Sequence, residues 1–230
     1  HTLDAFGQLS SAPSICIVGY EAEQVARGLG DGNIFVLSDD SAGGTAMAAM
    51  EAFSVDRLAE ANPIVVVSMG DRIVPNCVFR QLLQTHTADE EASLTLLTAH
   101  YEPPMHTGKG RVVRDQSDNI KRIVEQPDID LIDSPQERLR LDSQTEGNCP
   151  LYAVRAATLK HYLGNVTPAN AQGQFYFTDI VEAIDRDGGT IRSVTIRPFD
   201  QEYELLCADV TRPNDLAILE TALSQYEQTN

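Results

Sequence analysis

Two carboxylates in this chain stand where apolar runs stop. The stretch "PIVVVSMGD" (63–71) ends on Asp71, and "YELLCADV" (203–210) carries Asp209 at its close. Such a run reads as a strand buried on both faces of a parallel sheet, whose carboxyl end opens onto a ligand crevice. Two carboxylates brought to one crevice suit Mg²⁺, which takes oxygen ligands and keeps waters and substrate phosphates beside them. Gly70 would let the backbone turn, or approach a ligand closely, just ahead of Asp71. The plain alternative is that Asp71 caps a helix that starts near Pro75.

Three more stretches carry chemistry-bearing residues at element ends. "SDDSAGGTAM" (38–47) sets Gly43, Gly44 and Thr45 at the mouth of a helix, where free N–H groups can face a base or a phosphate. It has no P-loop lysine and does not fit GxGxxG, so an ordinary helix start is the alternative. "TGKGRVVRDQSDNIKRIVEQP" (107–127) is a Gly-Lys-Gly loop, a strand, a turn and a strand that ends at Glu125; its plain reading is a hairpin with a solvated lysine. "NAQGQFYFTDIVEAI" (170–184) leads through aromatics into a helix capped by Thr178, with Phe175 and Phe177 as core anchors. "GLGDG" (28–32) follows a helix rather than a strand and reads as a cap and turn.

The elements that must hold these residues alternate along the first half. Strands at 14–20, 33–39, 63–71 and 93–102 are separated by helices at 21–29, 43–60 and about 75–89. That alternation predicts βαβ units and a three-layer, doubly wound, mostly parallel α/β sheet. A hairpin around "DQSDN" follows, then a polar excursion at 128–146. A strand at 149–155, helices at 156–163 and 178–188, strands at 190–199 and 203–210, and a last helix at 212–228 with Pro213 near its start complete the reading.

At 230 residues the chain can form one full domain, and 42% hydrophobic with 22% charged residues is an ordinary globular composition. No apolar run approaches the ~20 residues of a membrane span. The formal net charge of −17 argues against nucleic acid or an anionic membrane as partner. Cys16, Cys77, Cys149 and Cys207 are scattered, which favours free thiols and a cytoplasmic setting.

Taken in order, the GGT helix mouth, the strand ending in GD, the GKGR hairpin ending in "IVEQPD", and "NAQGQFYFTDI" resemble the sugar-1-phosphate nucleotidyltransferases. The likeness is nearest to the uridyltransferase domain of the N-acetylglucosamine-1-phosphate uridyltransferases, and it runs over essentially the whole chain. It implies a nucleotide-diphospho-sugar transferase type of fold with a hairpin excursion. It also implies an Mg²⁺-dependent transfer from a nucleoside triphosphate, UTP, to a sugar-1-phosphate, with self-association left open. Residue by residue, Gly43, Gly44, Thr45 and Gly70 would serve the nucleotide, with Gly44 and Thr45 facing the uracil. Asp71 would hold the metal and, with Asp209, act in catalysis. Gly110 and Glu125 would hold the sugar, and Asn148, Tyr176 and Thr178 would complete its pocket. The family's second metal ligand is an Asn before a Thr-Arg pair; in "CADVTRPNDL" Asp209 or Val210 falls there, and only Asp209 has the chemistry.

Departures shape the expectation. The family opens with a glycine-rich loop bearing an Arg and then a Pro-Lys, whereas "HTLDAF" resembles the helix that follows it. A single nucleotidyltransferase domain over 1–230, incomplete at its N-terminus, is therefore expected. The family's NTG is "NCP" (148–150) and its QGE is "QGQ" (172–174), changes expected to line the sugar side. No hexapeptide repeats follow. The rival readings are a sugar-nucleotide-binding or regulatory domain without catalysis, a sister nucleotidyltransferase with another nucleotide or acceptor, and a glycosyltransferase using "DID" (128–130) as its DxD motif.

Overall fold

The computed structural model describes residues 2–38, 43–102, 108–207 and 215–229. Asp209 and Pro213 lie outside the described residues. In chain order the elements are α1 (Thr2–Leu9), β1 (Ile15–Val18), α2 (Ala22–Leu29), β2 (Ile34–Leu37), α3 (Thr45–Glu51), a 3₁₀ turn (Ala52–Ser54), α4 (Asp56–Ala61), β3 (Ile64–Ser68) and α5 (Asn76–Ala88). Then follow β4 (Ala92–His100), β5 (Arg111–Arg114), β6 (Ile120–Val124), α6 (Gln126–Asp130), α7 (Pro135–Asp142), β7 (Glu146–Arg155), α8 (Ala156–Leu163), α9 (Asp179–Arg186), β8 (Thr190–Ile196), α10 (Tyr203–Cys207) and α11 (Asp215–Thr229).

The sheet separates two apolar cores, which makes the architecture three-layered as expected. Because side chains alternate along a strand, β7 sends Leu151 and Ala153 to one face and Tyr152 and Val154 to the other. The first set packs with Val78, Phe79 and Leu82 of α5, Ala5 of α1 and Leu206 of α10. The second packs with Ala46 of α3, Leu159 and Leu163 of α8, and Ile180, Val181 and Ile184 of α9. Strand β1 pairs in parallel with β2, and β4 with β8. β3 and β4 share a direction because both run antiparallel to β7, which lies between them. So the six-stranded sheet contains two reversed strands, β6 of the hairpin and β7, and the latter is one that a plain βαβ reading does not supply.

One edge of β7 pairs with β4 along its length, while the other edge changes partner. Its C-terminal half pairs with β3, ending at Ser68 opposite Leu151, and its start meets β5 at Arg111 opposite Gly147. Between these pairings lie Asn148, Cys149 and Pro150. The β4 register also slips here: Leu97 faces Cys149 but Leu96 faces Tyr152, a bulge that bends β7. Pro150 has no N–H to contribute to a ladder, so it fits a position where the pairing is interrupted. The β5–β6 hairpin is held to β7 by a bidentate ion pair, Arg114 to Glu146, with both N–O distances 2.7 Å.

Four local expectations are corrected. The helix expected over 43–60 breaks into α3, the 3₁₀ turn and α4. The polar excursion is two short helices whose Ile129 and Leu141 are buried against Val113, with Ser134 capping α7 at the Glu137 N–H. The strand expected from Tyr203 is the helical turn α10, whose Tyr203, Leu205, Leu206 and Cys207 are all buried, a pattern that a strand buried on both faces would share. Asp71 does not cap α5, whose cap position is Pro75. The "DQSDN" turn does form, with Asp115 Oδ1 accepting from the Ser117 and Asn119 N–H groups at 2.9 Å. Among the described residues no helix is long and apolar enough to cross a membrane, and all four cysteines are free thiols.

Phe79 is fully buried at the seam of α5 with the sheet, its ring 4.3 Å from that of Phe6. Truncating it leaves a cavity that α1 and β7 cannot both close. We expect Phe79→Ala to cost about 3–5 kcal/mol in urea unfolding; a loss under about 1 kcal/mol would contradict this packing.

Candidate active site

The interrupted edge of β7 is where the dispersed motifs meet. Strand β3 runs into it and releases Met69, Gly70 and Asp71; strand β5 runs out of it, preceded by Lys109 and Gly110. The Asn148 N–H donates to the Gly110 carbonyl at 2.8 Å, which pins the arriving loop to β7.

Gly110 has to be glycine for reasons of space. A Cβ there would stand 2.9 and 3.0 Å from the Glu125 carboxylate oxygens and 2.8 Å from Ile123. Glu125 occupies the cap position of α6, yet makes no cap hydrogen bond with its side chain. Its Oε1 accepts instead from the Thr178 hydroxyl at 2.8 Å. Thr178 likewise stands at the cap of α9 without capping it, so its expected role is corrected: the hydroxyl is spent on Glu125. Burial pushes the Glu125 carboxyl up, opposed by the Thr178 hydrogen bond and reinforced by the nearby Asp128.

Asn148 completes this wall. Its Nδ2 donates to the Tyr152 hydroxyl at 2.7 Å, while its buried Oδ1 has no partner among the described residues. An acceptor left so costs about 1–3 kcal/mol, which a ligand N–H or O–H would relieve. Tyr176 is buried and donates to Gln172 Oε1 at 2.7 Å. Cys149, between Asn148 and Pro150, turns to the opposite face and receives Arg72 Nη1 at 3.3 Å. That half of the "NCP" departure therefore turns away from the wall of Glu125 and Asn148.

The GGT mouth is clasped to the "NAQGQF" loop. Gly43 accepts from the Phe175 N–H at 3.2 Å, Ala46 donates to the Phe175 carbonyl at 2.9 Å, and Thr45 Oγ1 accepts from the Phe177 N–H at 2.9 Å. Gly44 has φ +107°, and a Cβ on it would meet the Phe175 oxygen at 2.5 Å. The glycine thus permits a backbone-to-backbone approach that no other residue allows. The N–H of Ala46, expected to be free, is engaged; Thr45 itself remains exposed. Asn170 shapes the loop through Oδ1, which accepts from the Gln174 N–H at 3.1 Å. Phe177 anchors it in the core, 4.6 Å from the Tyr152 ring.

Several functional candidates were not visible as such in the sequence. Asp128 accepts from the Ala171 N–H at 2.6 Å and so joins α6 to the same loop; Asp130 accepts from Gln126 at 3.0 Å. Both carboxylates of "DID" are thus engaged on a short helix, which removes the geometric ground for a DxD metal motif at a strand end. Lys109, expected to be solvated, is half-buried with its ammonium 5.2 Å from the Tyr101 ring centroid. Its pKa is lowered to about 8, by burial first and then by Arg72. Arg111 fixes the backbone there, donating to the Lys109 carbonyl and to Gln126 Oε1 at 2.9 Å. Asp71 is exposed at its turn.

Asp179 is pushed up to about 6, chiefly by burial and then by the Asp128, Glu125 and Glu182 carboxylates. The folded protein therefore keeps a proton on Asp179 where the unfolded chain, titrating near 3.9, has lost it. Stability through this group is full below about pH 4 and falls as pH rises to about 6. We expect Asp179→Asn to gain stability relative to the parent protein across that window and to level off above it. Thermal unfolding of both proteins from pH 4 to 7 checks this; a difference independent of pH would contradict it.

The chain is similar to known proteins over most of its length. Residues 8–190 match the family described as nucleotidyl transferase. The chain is 33% identical over 201 residues to "Bifunctional protein GlmU" of Geobacillus thermodenitrificans, covering 87% of this chain and 41% of that protein. It is 32% identical over 229 residues to the protein of that name from Bacillus subtilis, and 31% over 230 residues to that from Lactococcus lactis subsp. cremoris. These cover 99% and 100% of this chain, and 44% of each relative. The chain thus spans less than half the length of the curated relatives it matches. The family match over residues 8–190 and these likenesses over most of the chain lead to one conclusion: it belongs to the nucleotidyl transferase family and is similar to the GlmU proteins.

Proposed function

We propose that the protein joins N-acetylglucosamine-1-phosphate to UTP with release of pyrophosphate. The observation that carries this reading is the wall of Gly110, Glu125, Thr178 and Asn148, drawn from three separated stretches and ending in a buried acceptor without a partner among the described residues. Glu125 accepts hydrogen bonds from sugar hydroxyls, and its charge makes them stronger than neutral ones. Asn148 Oδ1 accepts from the N–H of an N-acetyl group or from a hydroxyl. Tyr176, behind Gln172, closes the pocket. Gly43, Gly44, Thr45 and Gly70 bound the nucleotide side.

In the reaction a phosphate oxygen of the sugar-1-phosphate attacks the α-phosphorus of the nucleotide in line. The new P–O bond forms as the bond to the β-phosphate breaks, and pyrophosphate leaves with that electron pair. The attacking oxygen is already ionised at neutral pH, so no general base is required. What the protein must supply is position and charge compensation. The donor set fits a magnesium site of the sparse kind: Asp71 is an exposed carboxylate at a strand end, and Mg²⁺ is held by one or two carboxylates plus substrate phosphates. Asp71 would hold the ion, with Asp209 as second ligand. When bound, Mg²⁺ supplies positive charge against the phosphates. Free thiols at all four cysteines support a cytoplasmic setting for this chemistry.

A panel of nucleoside triphosphates and sugar-1-phosphates, scored by pyrophosphate release from the intact protein, tests the reading. UTP with N-acetylglucosamine-1-phosphate is expected to give the highest kcat/KM. Binding of a sugar nucleotide with no pyrophosphate release from any pair would favour the regulatory-domain reading instead. We expect Glu125→Ala to raise KM for the sugar-1-phosphate roughly ten- to a hundredfold and to leave KM for the nucleotide nearly unchanged. Equal rises in both would place Glu125 outside the sugar pocket.

A further inference from the structure

The wall of the pocket is assembled from two arms of the hairpin, and one buried cation is bonded beside both. Arg111 opens β5 directly after Gly110 and is only 1% exposed, so it cannot meet a ligand. Because side chains alternate along β5, Arg111 shares a face with Val113, which packs on Ile129 of α6 and Leu141 of α7. Val112 and Ile123 belong to the other face of the hairpin, the one covered by α9. Thr178, at the cap of that helix, is what bonds the Glu125 carboxylate. Arg111 therefore works from behind the wall.

Its guanidinium bonds the chain on either side of the Gly110–Glu125 contact. Nη1 donates to the Lys109 carbonyl, one residue before Gly110, and Nη2 donates to Gln126 Oε1 at 2.9 Å, one residue after Glu125. Gln126 is held in turn. Its Oε1 also accepts from the Gly108 N–H at 3.4 Å, and its Nε2 donates to Asp130 Oδ1 at 3.0 Å. These links flank the tight spacing in which a Cβ on Gly110 would stand 2.9 and 3.0 Å from the Glu125 oxygens. Burial lowers the pKa of the guanidinium, and the Asp142, Asp130 and Glu125 carboxylates act against that. An apolar side chain would fill the same place without the cost of desolvating a cation. What the guanidinium adds is a planar fork whose donors reach two segments at once. We propose that Arg111 is a positioning residue for the sugar pocket: through Gln126 and the Lys109 carbonyl it sets Glu125 against Gly110 at the spacing that the sugar hydroxyls require. This inference rests on reading the wall as a sugar-1-phosphate site, and it gives Arg111 no contact with either substrate.

The test is a mutant cycle read by steady-state pyrophosphate release from the intact protein with UTP and N-acetylglucosamine-1-phosphate. Gln126 is half-buried, so Gln126→Leu cuts the link on the Glu125 side and leaves the guanidinium in place, whereas Arg111→Met cuts both links. Gln126→Leu is expected to raise KM for the sugar-1-phosphate about three- to tenfold, and Arg111→Met about ten- to a hundredfold. In both variants kcat and KM for UTP should stay within about twofold of the parent, the pattern of lost sugar binding alone. Added to Glu125→Ala, Gln126→Leu should raise the sugar KM by less than about twofold more, because it acts through the carboxylate already removed. If Arg111→Met does not fold, the Gln126→Leu arm decides by itself. Full additivity with Glu125→Ala overturns the proposal. So does a sugar KM unchanged in Gln126→Leu, or a loss shared by kcat and both KM values, which marks a structural role. A parent protein that does not turn over this pair removes the sugar-1-phosphate reading first, and this inference falls with it. If the parent turns over and the cycle is additive, this inference alone fails.

Discussion

The arrangement depends on one strand edge that serves two partners. β7 gives its C-terminal half to β3 and its start to β5, and Asn148–Pro150 in between pair with neither strand's ladder. Backbone groups freed in the middle of a sheet must be satisfied by something, and here the Gly110 carbonyl, the bulge against β4 and an imino acid absorb the cost. Because β3 and β5 run in the same direction along this edge, the C-terminal end of one faces the start of the other. The turn with Asp71 and the loop with Lys109 and Gly110 are brought together by that geometry alone.

Charge is distributed around the interruption with the same economy. Burial and then the Asp128 carboxylate raise the proton affinity of Glu125, and burial followed by the Asp128 and Glu125 carboxylates does the same for Asp179. Hydrogen bonds from Thr178 and the Ala171 N–H hold two of them in place. On the other side Arg72 and Lys109 supply the positive field. The clasp between the GGT mouth and Phe175 joins two separated segments, and we propose that the nucleotide and sugar sides share the "NAQGQF" loop as a common support.

Much of this was legible because local chemistry and global position agree. The four greasy strands, the glycine pair before Thr45, the strand end at Asp71 and the hairpin turn at Asp115 each follow from residue type and period. What sequence could not supply depends on pairing across distance. Lys109 reads as solvated between two glycines until β7 is known to lie beneath it. Thr178 reads as a helix cap until Glu125 arrives from 53 residues away to take its hydroxyl. Tyr203–Cys207 was misread because a short run buried all round has the same composition as a buried strand. Ser134-Pro135-Gln136-Glu137 carried a visible helix-start signal that the polar composition of 128–146 obscured.

The central claim is that the interrupted edge of β7 is a sugar-phosphate pocket. A crystal structure of the protein with N-acetylglucosamine-1-phosphate bound tests it most directly. The account predicts sugar hydroxyls on the Glu125 carboxylate, an N–H or O–H of the sugar on Asn148 Oδ1, and the phosphate on the Asp71 side of that wall. A sugar seated elsewhere, for instance in the polar groove of Asn119, Lys121, Asp185 and Gly189, with Asn148 Oδ1 still unpartnered, would contradict it.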